Sequence, residues 1–350
     1  MTPHASHPFS ATAFGGQRGK ASRRQFIQFS AMFLAGAALS GCQTSQTSAE
    51  PIVDIHQHLG YSGRSDEVLL AHQRNLGITK TVLLPAGRPM YSATTHDGVC
   101  NGLEAKCLGN EECYRFAQAH SDAYAFAANE VPDAPGAQKE IEKYLKLGAV
   151  MIAEQKFGIE CDSPEMQRIY QIAADYRVPV LMHWQHHMYN YGFNRFYKIL
   201  AKYPRTTFIG HAQTWWANID SAYVDDTANL YPRGHVTPGG ITDRLLSDHA
   251  NIYGDLSAGS GLNALARDED QGRSFIERHQ DKLLYGSDCN DGAPGASTSG
   301  VAVSDVGSAP SCQGAQTIAL LRRLAPSPGI QRKLFRENAR RVLKIHLVVK

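Results

Sequence analysis

The first 42 residues contain no acidic side chain, and their apolar stretch is too short to span a membrane. Four basic residues stand in this segment, ahead of the apolar run Phe26–Leu39. That run falls short of the about 20 apolar residues that a transmembrane helix needs. A basic head, a short apolar stretch and the small residues Ser40 and Gly41 before Cys42 are typical of a secretory signal.

Two short motifs inside this segment specify the export route. Ser22-Arg23-Arg24-Gln25-Phe26-Ile27 resembles a twin-arginine signal, and Leu39-Ser40-Gly41-Cys42 resembles a bacterial lipobox. The resemblance implies cleavage before Cys42 and lipidation of its thiol. We therefore predict a signal peptide over 1–42, a polar tether over 43–50 and a single domain over 51–350, lipid-anchored on the periplasmic side of a bacterial membrane. An uncleaved anchor helix or a soluble leader is the alternative.

The chain has no Lys/Arg block of the kind that follows a phosphate backbone, which excludes nucleic acid as a partner. After Cys42 there are 31 basic and 33 acidic residues, so the mature chain carries a net charge of about −2. The hydrophobic content of 43% is that of a globular protein. The mature length is close to that of one α/β barrel, which commonly forms a single domain. The expected partner is a small-molecule substrate, and homo-oligomerisation is left open.

No C-x-x-C pair is present, so neither a structural zinc finger nor a thioredoxin-like motif is indicated. Export to an oxidising compartment permits disulfides. Cys100 and Cys107 lie in one predicted loop, and Cys289 and Cys312 bracket a Gly/Ser/Ala-rich stretch. A bridge in either place is as plausible as none, and the spacing does not fix the connectivity.

From Pro51 onward, short apolar runs alternate with amphipathic segments, which predicts βαβ units and a parallel sheet. The predicted strands are Ile52–Ile55, Thr79–Leu84, Tyr124–Ala128, Ala149–Ala153, Val178–Met182, Thr207–Ile209, Asn251–Leu256 and Lys282–Tyr285. The predicted helices are Asp66–Asn75, Glu111–His120, Ala137–Leu147, Pro164–Tyr176, Asn194–Tyr203 and Leu262–His279. Eight unbroken units favour an α/β fold of the closed (β/α)8 TIM-barrel class, with a doubly wound sheet as the alternative.

Three predicted connections are unusually long: Arg88–Asn110, Trp216–Thr242 and Asn290–Gln313. Each follows a strand, so in a barrel each would lie at the C-terminal face, where function collects. The last is rich in Gly, Ser and Ala and could be a mobile lid or a disordered insertion.

Side chains that commonly bind metals stand at the C-terminal ends of five of the eight predicted strands. His56 and His58 end the first strand, and alternation places both imidazoles on one side, where they can hold one ion. The other four ends carry Glu154 with Lys156, His183, His211 and Asp288. A single histidine is more often a structural residue, but a scattered set would not fall at successive strand ends.

The ordered set Asp54-Ile-His56-x-His58, Pro179-Val-Leu-Met-His183, Ile209-Gly-His211, Tyr285-Gly-Ser-Asp288 and Glu337-Asn-Ala-Arg-Arg-Val-Leu343 resembles the amidohydrolase superfamily, in its amidohydrolase-related branch. The resemblance covers about Ile52 to Leu343. It implies a distorted barrel with one or two divalent metals, Zn²⁺ above all, at its C-terminal mouth. The implied ligands are His56, His58, His183 and Asp288.

Two positions keep more than one implied role. His211 matches a position that binds a second metal in some members and acts on substrate in others. On strand four, some members have a carboxylated Lys and others a Glu. We favour Glu154 as the ligand here, while Lys156 could ligate instead or bind a substrate carboxylate. Asp54 is expected to support the site.

A divalent ion held by imidazoles and a carboxylate lowers the pKa of its water to about 7. Asp288 could then act as general base and acid, and His211 could polarise a carbonyl. We therefore predict a metal-dependent hydrolase of a small ester, lactone or amide. The predicted substrate-binding residues are Lys156, Trp184, His186, Gln213 and Trp215.

The chain contains no G-x-S-x-G elbow, P-loop or dinucleotide-binding fingerprint, so serine-hydrolase and nucleotide chemistry are not indicated. The first alternative to hydrolysis is a metal-dependent decarboxylase of an aromatic or unsaturated acid, with Lys156 or Arg64 holding the carboxylate. The second is a surface lipoprotein that binds a ligand without turnover.

Overall fold

The computed structural model describes residues 50–88, 107–308 and 310–346. Within these residues the chain forms eight parallel strands separated by helices. The strands are β1 Ile52–Gln57, β2 Ile78–Leu83, β3 Tyr124–Phe126, β4 Ile152–Gln155, β5 Val180–His183, β6 Phe208–His211, β7 Ile252–Asp255 and β8 Leu283–Leu284. Each predicted strand is confirmed, with ends that shift by a few residues, as is usual for strand boundaries.

The strands follow one another around a closed barrel. Regular pairing runs in the order β1-β2-β3 and in the order β4-β5-β6-β7-β8. Between β3 and β4, Ala128 bridges to Ile152 in parallel. Between β8 and β1, the backbone N–H of Ile55 donates to Tyr285 O at 3.2 Å. The predicted (β/α)8 class is therefore confirmed, and all eight carboxyl ends lie on one face.

The helices lie between and after the strands. They are α1 Asp66–Asn75, α2 Asn110–Ala119, α3 Ala137–Lys146, α4 Pro164–Tyr176, α5 Phe196–Lys202, α6 Gln213–Ala217, α7 Ile241–Asp248, α8 Ala258–Ala266, α9 Glu269–His279, α10 Gln313–Leu324, α11 Pro328–Arg332 and α12 Asn338–Leu343. A short π-helical segment, Lys333–Glu337, joins the last two. Ser163 caps α4 by accepting from the backbone N–H of Met166, as its position before Pro164 suggests. No helix in the described part of the chain is long and apolar enough to cross a bilayer.

One helix prediction is wrong. The predicted helix Leu262–His279 is two helices, α8 and α9, which meet at Asp268. The Asp268 carboxylate accepts from the backbone N–H of Gln271 and so begins α9 as an N-cap. The predicted loop Trp216–Thr242 also ends in the start of α7, which the apolar pattern did not reveal.

Apolar side chains fill the barrel interior below the polar strand ends. This inner cluster comprises Val53, Ile55, Val82, Leu84, Ala127, Met151, Ala153, Leu181, Ile209 and Leu284, with Ala339, Val342, Leu343 and Ile345 from the C-terminal segment. A larger outer cluster packs the strands against the surrounding helices. The polar residues at the carboxyl ends of the same strands lie beyond this apolar cluster, at the mouth of the barrel.

Of the two outcomes left open for Cys289 and Cys312, the structure shows the one without a bridge. Both are thiols, and their sulfur atoms lie 4.0 Å apart, whereas a disulfide bond is about 2.0 Å long. The described part of the Gly/Ser/Ala-rich stretch packs on α1, where the Asn75 side-chain amide donates to Ser304 O and Val306 O. Cys42 and Cys100 lie outside the described residues.

Candidate metal centre

Four side chains from three different strand ends converge on a single point at the carboxyl face. His56 Nε2 and His58 Nε2 lie 3.2 Å apart, and each lies 3.5 Å from Glu154 Oε2. Asp288 Oδ1 lies 3.7 Å from the first nitrogen and 3.5 Å from the second. Ligands about 2.1 Å from one tetrahedral ion would be about 3.4 Å from each other. The two nitrogens therefore have the spacing of metal ligands, and each carboxylate oxygen lies at a ligand-to-ligand distance from both of them.

The protonation of the two imidazoles supports the same conclusion. His56 Nδ1 donates to Asp255 Oδ2 at 2.7 Å, and His58 Nδ1 donates to Leu84 O at 2.8 Å. Both partners only accept, so in the neutral rings both Nε2 atoms carry lone pairs. Two lone pairs facing each other at 3.2 Å repel unless a cation or proton lies between them. Glu154 Oε2 and Asp288 Oδ1 are also buried with no hydrogen-bond partner among the described residues.

His183 and His211 form a second potential ligand group with the same glutamate. Glu154 Oε1 contacts His183 Nδ1 and lies 3.6 Å from His211 Nε2. The two oxygens of Glu154 therefore face two different sets of imidazoles. His211 Nε2 is buried without a hydrogen-bond partner in the described structure and lies 3.8 Å from Asp288 Oδ2. The residues fit one or two divalent ions, with Glu154 between them.

Asp255 and Ser257, which we did not predict, orient the imidazoles from behind. Asp255 is fully buried and lies 2.7 Å from His56 Nδ1 and 3.3 Å from His211 Nδ1. Ser257 Oγ lies 3.1 Å from the same atom of His211 and donates to Asp255 Oδ2 at 2.8 Å. A carboxylate behind a histidine fixes which nitrogen is left to bind metal. Asp255 ends β7 as the predicted ligands end their strands, and that position was the available signal.

The electrostatics of the centre favour a bound cation. Burial opposes a charge on His56, but Asp288 and then Asp255 outweigh burial and raise its pKa to about 10. Burial, followed by repulsion from His56, lowers the pKa of His211 to about 4. Burial alone would raise the pKa of Glu154, but Lys156 and His183 hold it well below its usual range. The negative charges of the Glu154, Asp255 and Asp288 carboxylates attract a cation to this point.

Asp54 supports the centre from below, as we expected. Its Oδ1 accepts from the backbone N–H of His56 at 3.0 Å and of Ser287 at 2.9 Å. Its Oδ2 accepts from Gln73 Nε2 at 3.0 Å and from Ser287 Oγ. Asp54 therefore joins β1, α1 and the segment that carries Asp288, and has no free lone pair directed at the metal-ligand set.

Arg64, offered as one of two residues that could hold a substrate carboxylate, is buried and already hydrogen-bonded, which does not support that role. The residue is 3% exposed, and its guanidinium donates to Cys289 O at 2.7 Å, to Gln57 Oε1 and to His58 O. These contacts hold the loop after β8 against the end of β1. Arg64 is therefore part of the scaffold.

Lys156 does lie beside the centre. Burial would lower its pKa, but Glu154 and Asp288 outweigh burial and raise it. Its Nζ stands 5.6 Å from the centre of the Tyr189 ring. Lys156 is therefore a cation next to the ligand set. Among the described residues, its ammonium group forms no short ion pair.

Two of the other predicted substrate-binding residues, His186 and Gln213, are partly exposed at the barrel mouth, and two are buried. His186 lines a cavity of about 550 Å³ together with Gln185 and Thr214. Gln213 is partly exposed, and its Nε2 donates to Tyr231 OH at 3.2 Å.

Trp184 and Trp215 are fully buried in the hydrophobic core, which does not support the predicted contact with substrate. The Trp184 ring packs 4.7 Å from that of Phe196, and the Trp215 ring 5.9 Å from that of Phe193. Alternation along β5 explains the first case, because the residue after His183 points away from the barrel axis.

A family model described as Amidohydrolase matches residues 53–345 of the chain. The match covers every side chain of the centre, from His56 to Asp288. No curated protein sequence matches the chain.

Three solved structures share the fold. An uncharacterized TIM-barrel protein from Bordetella bronchiseptica is 14% identical with a TM-score of 0.55, and the match covers 84% of this chain and 98% of that one. A putative 2-pyrone-4,6-dicarboxylic acid hydrolase from Pseudomonas putida is 14% identical with a TM-score of 0.52, covering 84% and 97%. A 2,6-dihydroxybenzoate decarboxylase solved with 2,6-dihydroxybenzoate is 12% identical with a TM-score of 0.50, covering 85% and 100%. Such low identities establish a shared fold alone.

Proposed function

The chain belongs to the amidohydrolase family, and we propose that it is a metal-dependent hydrolase of a small ester, lactone or amide that carries a carboxylate. One observation carries this proposal. His56 Nε2 and His58 Nε2 lie 3.2 Å apart, and Glu154 Oε2 and Asp288 Oδ1 each lie 3.5 to 3.7 Å from both of these nitrogens. That spacing suits Zn²⁺, which binds imidazole and carboxylate in tetrahedral sites.

A divalent cation bound at this point would acidify water and polarise the carbonyl of the substrate. The protein's own part is then to move protons and hold the substrate. Asp288 is the carboxylate at the edge of the set, with its side chain 12% exposed while Glu154 is 1% exposed. It can accept a proton from the attacking water and return it to the leaving group.

Lys156 and His211 are the groups that would position the substrate. The positive charge of Lys156 lies near Asp288, and this ammonium group would hold a substrate carboxylate. His211 presents Nε2 to the same space and would contact the reacting carbonyl or a second ion. His186 and Gln213 would contact the part of the substrate further from the reacting bond.

A panel of carboxylated lactones, esters and amides tests the hydrolase proposal. We expect hydrolysis of at least one compound, measured as proton release for lactones and esters and as release of amine for amides. A chelator should abolish this activity, and added Zn²⁺ should restore it. Asp288→Asn should lower kcat by at least about 100-fold, which is the usual contribution of a general base. His346→Ala, at an exposed position, is the control for His58→Ala. Full turnover by His58→Ala or Asp288→Asn would contradict the assigned site.

Decarboxylation of an aromatic acid is a second candidate, because Lys156 beside the ligand set could hold the carboxylate that is lost. A cation that holds a carboxylate against the metal set could serve either reaction. Carbon dioxide release from dihydroxybenzoates, without proton release from the lactone panel, would favour decarboxylation. Binding of these compounds without formation of either product would favour the remaining alternative, a surface lipoprotein that binds a ligand without turnover.

We also propose that the chain is exported by the twin-arginine route and anchored through lipid on Cys42. The motifs Ser22–Ile27 and Leu39–Cys42 support this proposal, and both lie outside the described residues. Replacing Arg23 and Arg24 together by Lys should retain the chain in the cytoplasm. Cys42→Ala should abolish metabolic labelling with palmitate, and unchanged labelling would contradict the anchor.

A further inference from the structure

We infer that His72, Cys289 and Cys312 form a second metal site, separate from the catalytic centre, which binds a thiophilic divalent cation of the Zn²⁺ class. The three side chains come from α1, from the segment after β8 and from the residue before α10. Their ligand atoms all lie within 4.8 Å of one another. All three residues are buried, with exposures of 0%, 4% and 1%.

The interatomic distances are those of a metal site. Ligands in a tetrahedral zinc site with Zn–S of about 2.3 Å and Zn–N of about 2.0 Å stand about 3.8 Å apart for two sulfurs and about 3.5 Å for sulfur and nitrogen. The two sulfur atoms here lie 4.0 Å apart, and Cys312 Sγ lies 3.5 Å from His72 Nε2. Two of the three distances therefore already match those of a bound ion, and the third lies within 4.8 Å. A disulfide would require the sulfurs to approach by about 2 Å.

The histidine is held in the tautomer that a metal requires. His72 Nδ1 lies 2.8 Å from Gln73 Oε1. The Gln73 amide nitrogen donates to Asp54 Oδ2 at 3.0 Å and to Thr81 Oγ1 at 2.7 Å, which fixes the direction of the amide. Its oxygen must then accept from Nδ1–H, so the lone pair of His72 Nε2 faces the sulfurs. A carbonyl oxygen behind the distal nitrogen is the usual support of a metal-binding histidine.

A fourth ligand would be water, and a buried carboxylate follows Cys289 closely in the chain. Asp291 stands two residues after Cys289, is 2% exposed, and has an Oδ1 with no hydrogen-bond partner among the described residues. Its Oδ2 accepts from the backbone N–H of Gly307. Binding of the ion would form two metal–sulfur bonds and one metal–nitrogen bond, and both thiols would release their protons to solvent.

The site would fasten the long loop after β8 to the barrel. Cys289 follows the catalytic Asp288 directly, and its carbonyl oxygen accepts from Gln57 Nε2 at 3.0 Å and Arg64 Nη1 at 2.7 Å. Cys312 stands at the far end of the same loop. A metal bound to both cysteines and to α1 would therefore close the loop at its base and restrain the segment that carries Asp288.

Sulfur ligation separates this site from the catalytic centre, whose proposed ligands are nitrogen and oxygen only. The test uses the full chain loaded with Co²⁺ or Zn²⁺ as the sole metal. We expect a sulfur-to-cobalt charge-transfer band in the near ultraviolet, and X-ray absorption of the zinc form should show sulfur at about 2.3 Å. Cys312→Ser should lose the band and one metal equivalent per chain, whereas Cys161→Ser, at another buried thiol, should keep both.

Thiol titration decides between a metal and a disulfide. We expect both thiols to react in denaturant with chelator and no reductant. Reaction only after a reductant is added would show a disulfide and overturn the proposal, as would the absence of sulfur ligation in the metal-loaded wild-type chain. If Cys312→Ser does not fold, His72→Gln replaces it, and the wild-type spectra still decide the question. Activity plays no part in these readouts, so failure of the proposed reaction leaves them interpretable.

Discussion

His56 Nδ1 lies 2.7 Å from Asp255 Oδ2, and both residues are fully buried at the ends of β1 and β7. The carboxylate fixes the imidazole so that Nε2 faces His58, Glu154 and Asp288. It also lies 3.3 Å from His211 Nδ1, so one carboxylate orients both imidazoles.

Asp255→Asn should therefore weaken metal binding without removing a ligand. Loss of such a supporting carboxylate typically lowers metal affinity or activity by about 10- to 100-fold. Competition with a chromophoric chelator measures the affinity, and Asp226→Asn at an exposed loop position is the control. Wild-type affinity in Asp255→Asn would show that the contact does not orient His56.

Glu154→Gln tests whether one carboxylate serves two ions. Its Oε2 faces His56 and His58, and its Oε1 faces His183 and His211. Because an amide is a much poorer bridge than a carboxylate, we expect the variant to bind one metal equivalent fewer than wild type. Elemental analysis in a Cys312→Ser background counts only the catalytic ions. An unchanged count would exclude a bridging Glu154.

Trp184→Ala should destabilise the fold. The indole is fully buried between Phe193 and Phe196, and removing a buried Trp usually costs about 3 to 5 kcal/mol. Urea unfolding measures the loss, and Tyr197→Ala, with 48% of that residue exposed, should change stability by less than about 0.5 kcal/mol. An unchanged unfolding midpoint with an altered KM would instead restore the predicted role in substrate binding.

Asp243 should make the fold sensitive to acid. Burial opposes its charge, but a hydrogen bond from His279 at 2.6 Å and further contacts lower its pKa from 3.8 to about 2. A carboxyl group whose pKa is depressed by folding stabilises the fold above its unfolded pKa and loses that effect as pH falls through the folded pKa. The contribution of the ionised Asp243 carboxylate to the free energy of unfolding is therefore complete above about pH 4 and lost near pH 2.

Asp243→Asn should accordingly lower the free energy of unfolding by about 1 to 2 kcal/mol at neutral pH. The difference from wild type should shrink between about pH 4 and pH 2. Chemical denaturation at several pH values measures it, with the exposed Asp248→Asn as control. A difference that stays constant over this range would show that the charge of Asp243 is not the cause.

The strand order could be predicted, and so could the positions of most candidate ligands at the strand ends, because both depend on local pattern. Each βαβ unit places its strand end on the same face, so His56, His183 and Asp288 could be expected to meet. Asp255 occupied an equivalent strand-end position, but the sequence alone did not show that its carboxylate would accept from His56 Nδ1. The prediction missed the division of α8 from α9, although no large apolar side chain stands between Ala266 and Phe275 and Asp268 is a residue type that commonly caps helices.

What the sequence determined by itself was the barrel and the chemistry available at its mouth, since alternation and strand-end position follow from local backbone geometry. Tertiary structure alone decided how the side chains are used. Trp184 and Trp215 pack in the core, and Arg64 donates to a backbone carbonyl. The thiols of Cys289 and Cys312 lie near His72 with no disulfide bond between them. Those outcomes depend on contacts between residues far apart in the chain, where packing and hydrogen bonding select one orientation for each side chain.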